Sequence, residues 1–436
     1  MLRTPFWRRA TTAVGIYGAA AFGILGTIVA ARELGTTSFG VLTVVISATG
    51  FFQTLFDLTI EEALVKFGFR YAAQERLGRL RRIFSIAVRV KITGGLVAAV
   101  VLLLVAPIAH LIWDGTTALP FVVGAAIPLV QSPEGVAGAA LMLRSRYDVR
   151  ALFLLNSMVL RFTGLAIGAS FGVWQALLGV LVAQVIATTG VVIAGYLALR
   201  RFHAPQESLD EDRAEIRSFV LQSSLATGVV SVRTLIAPLL LGIVSVPVQV
   251  ALFKAAQSPQ SAFASLSAPA RMVLLAEQTK DWEHGRRARV FRGVRLYTRS
   301  ALGLVLVVVP PLWIAMPWLL EHVVGEDFVP AADAGRLILL AAALQLVVGW
   351  TKSFPVTIGR PQLRVVAHGI ESLALIPLVL LFGELWGATG AAGAVLAATA
   401  VFVGVWIVLY GRIRRQEQGG ELIVVPRQEA GEVLGL

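Results

Sequence analysis

Four cationic side chains lie inside long apolar runs of the sequence, namely Arg161, Arg233, Lys254 and Lys352. A charged group at membrane depth is costly unless it faces protein or water, so each is a candidate for contact with a ligand. Cations around a wet interior attract anions. Structural interpretations stay open: Arg161 could pair with Glu134, and Lys254 and Lys352 could extend their ammonium groups to the membrane surface.

Three carboxylates, Asp57, Glu61 and Glu134, also lie in or near apolar runs. Gln53, Asp57 and Glu61 recur every four residues, which predicts one polar stripe on a helix. Neighbouring carboxylates repel each other, and this raises the affinity of one of them for a proton. All three are therefore candidates for coupling to H⁺ or Na⁺. The alternatives are contact with water at a span end for Asp57 and Glu61, and a paired carboxylate at a kink for Glu134.

Uncharged polar residues accompany these charges. Ser258 and Ser261 share a helical face with Lys254, and a helix facing lipid would not accept such a stripe. We expect these residues to line a wet cavity. The predicted polar lining consists of Gln53, Gln131, Gln257, Ser258 and Ser261.

The composition shows which elements must position these side chains. Apolar residues make up 57% of the 436 residues, and charged residues only 15%, against roughly 25% in soluble domains. A water-soluble enzyme is therefore excluded. The chain has no cysteine and no P-loop, zinc motif or nucleophile elbow. We expect no cofactor, no resident metal, no ATP-driven pumping and no enzymatic activity.

Hydropathy predicts an all-α polytopic membrane protein with about 12 transmembrane helices, because a lone apolar run can satisfy its backbone in lipid only as a helix. The predicted spans lie near 11–31, 40–65, 92–113, 121–143, 151–173, 177–199, 218–245, 250–275, 300–323, 336–358, 365–386 and 388–410.

Basic residues concentrate in alternate gaps between the spans, which predicts that both termini are cytosolic. This placement also argues that the net charge of +12 serves membrane orientation and not nucleic-acid binding. The most basic gap follows the second span of each half. We therefore predict an N-terminal six-helix lobe at 1–199, a cytosolic linker at 200–217, a C-terminal six-helix lobe at 218–411 and a cytosolic tail at 412–436.

Several short segments resemble the polysaccharide transporter family, whose members are lipid-linked oligosaccharide (O-antigen type) flippases of the multidrug/oligosaccharidyl-lipid/polysaccharide exporter superfamily. The segments are Ala31-Arg32-Glu33-Leu34-Gly35, Ser38-Phe39-Gly40, Asp57-Leu58 with Glu61-Glu62-Ala63-Leu64-Val65, and Ala251-Leu252-Phe253-Lys254-Ala255-Ala256. Thr59-Ile60 departs from the Gly-containing pair that the family often has after Asp-Leu.

The resemblance implies two six-helix lobes around a central cationic cavity in the bacterial cytoplasmic (inner) membrane. It implies a flippase that moves an undecaprenyl-pyrophosphate-linked oligosaccharide from the cytosolic to the outer leaflet by alternating access. The expected partners are this lipid-linked glycan, membrane lipids and glycan polymerase machinery, with H⁺ or Na⁺ as a candidate coupling ion.

Two other functions stay open. A multidrug cation antiporter of the same superfamily would need a cavity dominated by carboxylates, whereas the deep charges in the sequence are mainly positive. A membrane-embedded glycan polymerase or ligase would need room on the outer side, and the predicted outer gaps are short.

Overall fold

The computed structural model describes residues 5–200, 202, 204–258, 260, 278, 281–282, 284–360 and 362–418, with side chains except at 5–6, 8–9, 226–227 and 230–234. Within this part the chain is helical and contains no strand. The longer helices are α1 Pro5–Phe56, α2 Ile60–Ala73, α3 Leu77–Val105, α4 Ala118–Gln131, α5 Glu134–Leu143, α6 Tyr147–Ala169, α7 Val173–Leu199, α8 Arg213–Val244, α9 Pro247–Ala256, α10 Arg287–Leu319, α11 Ala332–Val347 and α12 Gln362–Gln418.

Eight apolar segments of the described residues are long enough to cross a membrane, which confirms a polytopic helical membrane protein. Two of them, in α1 and α12, have 47 and 56 residues. At 1.5 Å per residue each exceeds about 70 Å, more than twice the hydrocarbon thickness. Each changes direction at a glycine with non-helical backbone, Gly35 in α1 and Gly387 in α12. The count of twelve crossings and the division into lobes stay predictions.

Polar residues and prolines interrupt three predicted spans. The span at 40–65 stops at Phe56 and resumes as α2 at Ile60. The span at 121–143 divides into α4 and α5, and α5 begins directly after Pro133. The span at 336–358 ends α11 at Val347, and a 3₁₀ turn, Gly349–Lys352, follows. Each break frees backbone groups inside the bundle, and polar residues stand at each one, Asp57 and Thr59, Ser132 and Glu134, and Thr351 and Lys352.

The helix bundle has two sides, a terminal side and a distal side, which we define by the loops and turns that lie on each. The terminal side carries residues 5 and 418, the loops at 74–76 and 144–146, and the segment 204–212. The distal side carries the turn at Gly35, the loops at 113–117 and 245–246, and the turn at Gly387.

The first and second halves of the chain touch closely on the distal side. A Cβ at Gly40 would overlap the carbonyl oxygen of Pro247. The Trp113 indole Nε1 donates a 3.1 Å hydrogen bond to the Leu239 carbonyl. The rings of Phe39 and Phe328 meet edge to face at 5.9 Å. The distal ends of the two halves are therefore in direct contact.

Candidate functional site

A polar cavity of about 560 Å³ opens among α1, α3, the α4–α5 break and α6. It collects four of the predicted polar and acidic residues of the first half together with Glu134. Its charged and polar lining consists of Thr12, Gln53, Asp57, Glu61, Lys91, Gln131, Ser132, Glu134, Tyr147 and Arg150. The prediction placed these five candidates, Gln53, Asp57, Glu61, Gln131 and Glu134, from sequence alone, and the structure brings them to one cavity.

Asp57 and Glu61 do not lie on one continuous helix, so the predicted stripe is wrong in its geometry. Helix α1 ends at Phe56, and Asp57 belongs to the break before α2. The backbone NH of Thr59, in this break, donates a 2.8 Å hydrogen bond to the hydroxyl of Ser224 on α8. The carboxylates meet because the chain turns at the break, not because they are one helical turn apart.

Lys91 of α3 is the residue that sequence reasoning missed. Its ammonium Nζ lies 2.5 and 2.6 Å from the two Asp57 oxygens and 2.5 Å from Glu61 Oε1. Lys91 directly precedes the predicted span at 92–113 and so falls in a basic gap of the prediction, yet its side chain is only 3% exposed.

Glu134 begins α5 and accepts a 2.9 Å hydrogen bond from Gln184 Nε2 of α7. It lies near enough to Arg161 and Arg150 for electrostatic attraction. Arg161 is half-buried on α6, and the part of the structure that is described does not place it among the lining residues of the polar cavity. The predicted association of Arg161 with Glu134 is therefore the arrangement that these contacts favour.

A smaller cavity of about 260 Å³ contains Lys254, Gln257 and Ser258 of α9 and the residues that follow it, facing Gly23 and Thr27 of α1. Three predicted site residues thus meet here. Lys254 has no hydrogen-bond or ion-pair partner among the described residues. An ammonium without a counter-ion at this depth can accept an anion.

The remaining candidates lie elsewhere. Lys352 is exposed at the end of the 3₁₀ turn Gly349–Lys352. The backbone of Arg233 lies in α8, but its side chain is outside the described residues, and so is Ser261. The described charges of the polar cavity are three carboxylates, Asp57, Glu61 and Glu134, against Lys91 and Arg150. This lining is more acidic than the predicted cationic interior.

An apolar cavity of about 570 Å³ lies between the two halves, among the end of α1, α8 and α12. Leu55, Leu58, Leu225 and Leu373 supply much of its wall. Asp57 lines this cavity as well as the polar one. The two cavities therefore adjoin at Asp57, one polar and one apolar.

Residues 10–275 match a family model described as polysaccharide biosynthesis protein. The chain belongs to this polysaccharide biosynthesis family. The family predicted from the sequence is thereby confirmed. No curated protein matches the chain in a sequence comparison.

The fold of this polysaccharide biosynthesis family member is similar to that of solved transporters. One is an inward-facing multidrug resistance MATE family transporter of the MOP superfamily, with a TM-score of 0.71 and 14% identity over 94% of this chain and 100% of that chain. The lipid II flippase MurJ, in an inward closed conformation, has a TM-score of 0.68 and 12% identity over 92% and 87%. A mutant of the Vibrio cholerae MATE transporter VcmN has a TM-score of 0.61 and 14% identity over 94% and 96%.

Proposed function

We propose that this protein carries an undecaprenyl-pyrophosphate-linked oligosaccharide from the cytosolic to the outer leaflet of a bacterial cytoplasmic membrane. One observation carries the proposal: a polar cavity and an apolar cavity adjoin at Asp57. A ligand that fills both must itself be amphipathic. Family membership in polysaccharide biosynthesis favours a glycan as the polar part.

The apolar cavity suits the polyprenyl chain. It lies between the halves, its leucines offer contact to a hydrocarbon, and among the described lining residues Asp57 at its edge is the only charged one. Gly228 of α8 and Gly369 of α12 line this cavity and have open space where a side chain would stand. The polyprenyl chain reaches this cavity from lipid, which is equally apolar, so its binding there rests on van der Waals packing. The tail thus holds the substrate at the gap between the halves.

The polar cavity suits the sugars. Carboxylates, amides and the Tyr147 hydroxyl offer acceptors and donors for sugar hydroxyl groups. Thr12 and Ile16 of α1 line this cavity, and Ala20, Gly23 and Thr27 line the cavity of Lys254. These positions follow one face of α1. We infer a path along this face, on which the pyrophosphate reaches the ammonium of Lys254.

The direction of transport is proposed from the two sides of the fold. The halves are in contact on the distal side, through Gly40 with Pro247 and Trp113 with Leu239. The apolar cavity lies toward the terminal side, at the level of the α1–α2 break. The basic loops favour a cytosolic terminal side. Loading from the cytosol is then the first step, and outward movement of negative charge gains about 2.3 kcal/mol per charge per 100 mV.

The proposal can be tested with the purified protein in proteoliposomes that contain a lipid-linked oligosaccharide with a fluorescent sugar. An impermeant quencher outside the vesicles reports movement between leaflets. We expect faster movement than in empty vesicles. Gly369→Leu, which fills the apolar cavity, should reduce the rate about tenfold. Gly404→Leu is the matched control, because Gly404 lies on the same helix and also has open space around it. Equal rates with and without protein would refute the proposal.

A cation antiporter is the second candidate function, and a specific observation favours it. The polar cavity carries three carboxylates against two cations, and an organic cation would be attracted to this surplus of negative charge. The same vesicles, loaded with ethidium under a proton or Na⁺ gradient, distinguish the two functions. Ethidium efflux without glycan movement would favour the antiporter.

A further inference from the structure

Lys91 occupies the space between two carboxylates at the wall of the polar cavity. Its Nζ is 2.5 Å from both Asp57 Oδ1 and Glu61 Oε1. The Lys91 side chain is almost completely buried, whereas about a third of the Asp57 and Glu61 side chains remains accessible. The two carboxylates thus face the cavity, and the Lys91 ammonium lies behind them, buried in the protein.

Carboxylate oxygens are the ligands that hard cations prefer. Two carboxylates at this separation repel each other unless a positive charge lies between them. An ion from solution could supply this positive charge, and it could reach the carboxylates through the cavity. In this chain the Lys91 ammonium, covalently attached to α3, supplies the positive charge instead.

We propose that Lys91 is a tethered cation that replaces a dissociable coupling ion at the Asp57–Glu61 pair. Transport then proceeds without Na⁺ at this site. The proposal goes beyond the proposed function, because it does not depend on what the protein carries. It also implies a gain of function: removal of the ammonium converts the carboxylate pair into a Na⁺ site.

The surrounding charges support this conversion. The other charged side chains that line the cavity are Glu134, hydrogen-bonded to Gln184, and Arg150. Without Lys91 the described lining has three carboxylates and one cation. Gln53 and Gln131 line the same cavity and offer amide oxygens as further ligands. A cation from solution would therefore be attracted to the vacated place.

The test uses the full chain in detergent, without any glycan. Its melting temperature is measured in NaCl and in N-methylglucamine chloride at equal ionic strength. We expect no difference for the wild type. Lys91→Met should show a saturable rise of about 2 °C or more with Na⁺, since a ligand that binds only the folded state stabilises it. The double variant Lys91→Met with Asp57→Asn should lose this response. Lys66→Met, at an exposed lysine on α2, is the matched control and should behave as the wild type.

A monodisperse Lys91→Met protein without a Na⁺ response would overturn the proposal. A second measurement keeps the test decisive if that variant does not fold. Binding of radioactive sodium to the wild type should be absent, and this result supports the proposal. Saturable binding that Asp57→Asn removes would show that Na⁺ uses the site beside Lys91, and would overturn it. Neither assay depends on glycan movement, so failure here is separate from failure of the proposed function.

Discussion

The Tyr71 hydroxyl donates a 2.7 Å hydrogen bond to Asp212 Oδ2, and this contact ties the end of α2 to the start of α8. Asp212 also accepts a 3.1 Å hydrogen bond from Arg79. Burial raises the pKa of the Tyr71 hydroxyl, and its bond to Asp212 raises it further. The hydroxyl therefore keeps its proton at physiological pH and remains a donor.

Tyr71→Phe removes this donor and leaves the ring in place. We expect a loss of about 1 kcal/mol of stability, measured as a lower melting temperature. Trypsin should also cleave the segment 204–217 faster, because the segment is less firmly held. Tyr196→Phe, at an exposed tyrosine, is the control. If both variants have the melting temperature and the cleavage rate of the wild type, the Tyr71–Asp212 hydrogen bond contributes nothing to stability.

The Arg70–Glu215 pair gives a pH prediction. Arg70 donates hydrogen bonds of 2.8 and 3.0 Å to the Glu215 carboxylate. These bonds lower the pKa of Glu215. A carboxylate with a lowered native pKa contributes stability above its unfolded pKa of about 4.3 and loses it as the pH falls through the native value.

The difference in melting temperature between the wild type and Glu215→Gln should therefore be present near neutral pH and vanish in acid. The pair is largely exposed, so the difference should be small and should shrink in high salt. Glu384→Gln, outside this pair, controls for the loss of a carboxylate. A difference that grows in acid would contradict the assignment.

The two halves are in contact on the distal side. We therefore predict that this contact has to separate during transport. The chain has no cysteine, so Phe39→Cys with Phe328→Cys introduces a unique thiol pair where the two rings meet. A cleavable bifunctional thiol reagent should stop glycan movement, and reduction should restore it. Each single variant, treated in the same way, is the control. Undiminished movement in the cross-linked protein would show that the distal side does not have to separate.

Lys254 and Lys352 allow a comparison of two predicted cations. Lys254 lines a cavity against α1, whereas Lys352 is exposed. Lys254→Gln should slow movement of the lipid-linked glycan about tenfold, because an ammonium near the pyrophosphate is lost. Lys352→Gln should have a much smaller effect. The measurement is the vesicle assay at matched protein levels, and the reverse order would place the pyrophosphate elsewhere.

The turn at Gly387 depends on Gln249. Its Oε1 accepts a 2.8 Å hydrogen bond from the backbone NH of Ala388, directly after the turn. Gln249→Met removes the acceptor at similar volume and leaves a partly buried donor unpaired, which costs about 1–3 kcal/mol. The melting temperature should fall. An unchanged value would mean that water satisfies the Ala388 NH.

Much of the fold follows from hydropathy, because a polypeptide in lipid must close its own hydrogen bonds. The helical runs were therefore predictable, and the clustered carboxylates were recognisable as costly groups. The break after Phe56 was not, because Asp57-Leu58-Thr59 contains neither Gly nor Pro. Tertiary contacts determine where this break lies, including the hydrogen bond from the Thr59 backbone NH to the Ser224 hydroxyl.

The partners of the site residues were harder to predict than the residues themselves. Lys91 reaches Asp57 from 34 positions away, and no local pattern marks such a pair. Its neighbours Arg82 and Arg89 made it resemble one more loop cation. In contrast, Gly164 and Gly168 follow Arg161 at helical spacing, a local pattern that indicates close helix packing, and Gly164 of α6 lies directly against Gly179 of α7.

That glycine contact constrains how the first half can move. A Cβ on either residue would overlap the carbonyl oxygen of the other, and Gly168 lies equally close to the backbone of Gln175. Backbones this close cannot slide or rotate past each other without steric overlap. Helices α6 and α7 must therefore move together as one unit. The same close approach joins α1 and α5 to this unit, because a Cβ at Gly15 would overlap the carbonyl oxygen of Ala151 and a Cβ at Gly195 would overlap the backbone of Ala137.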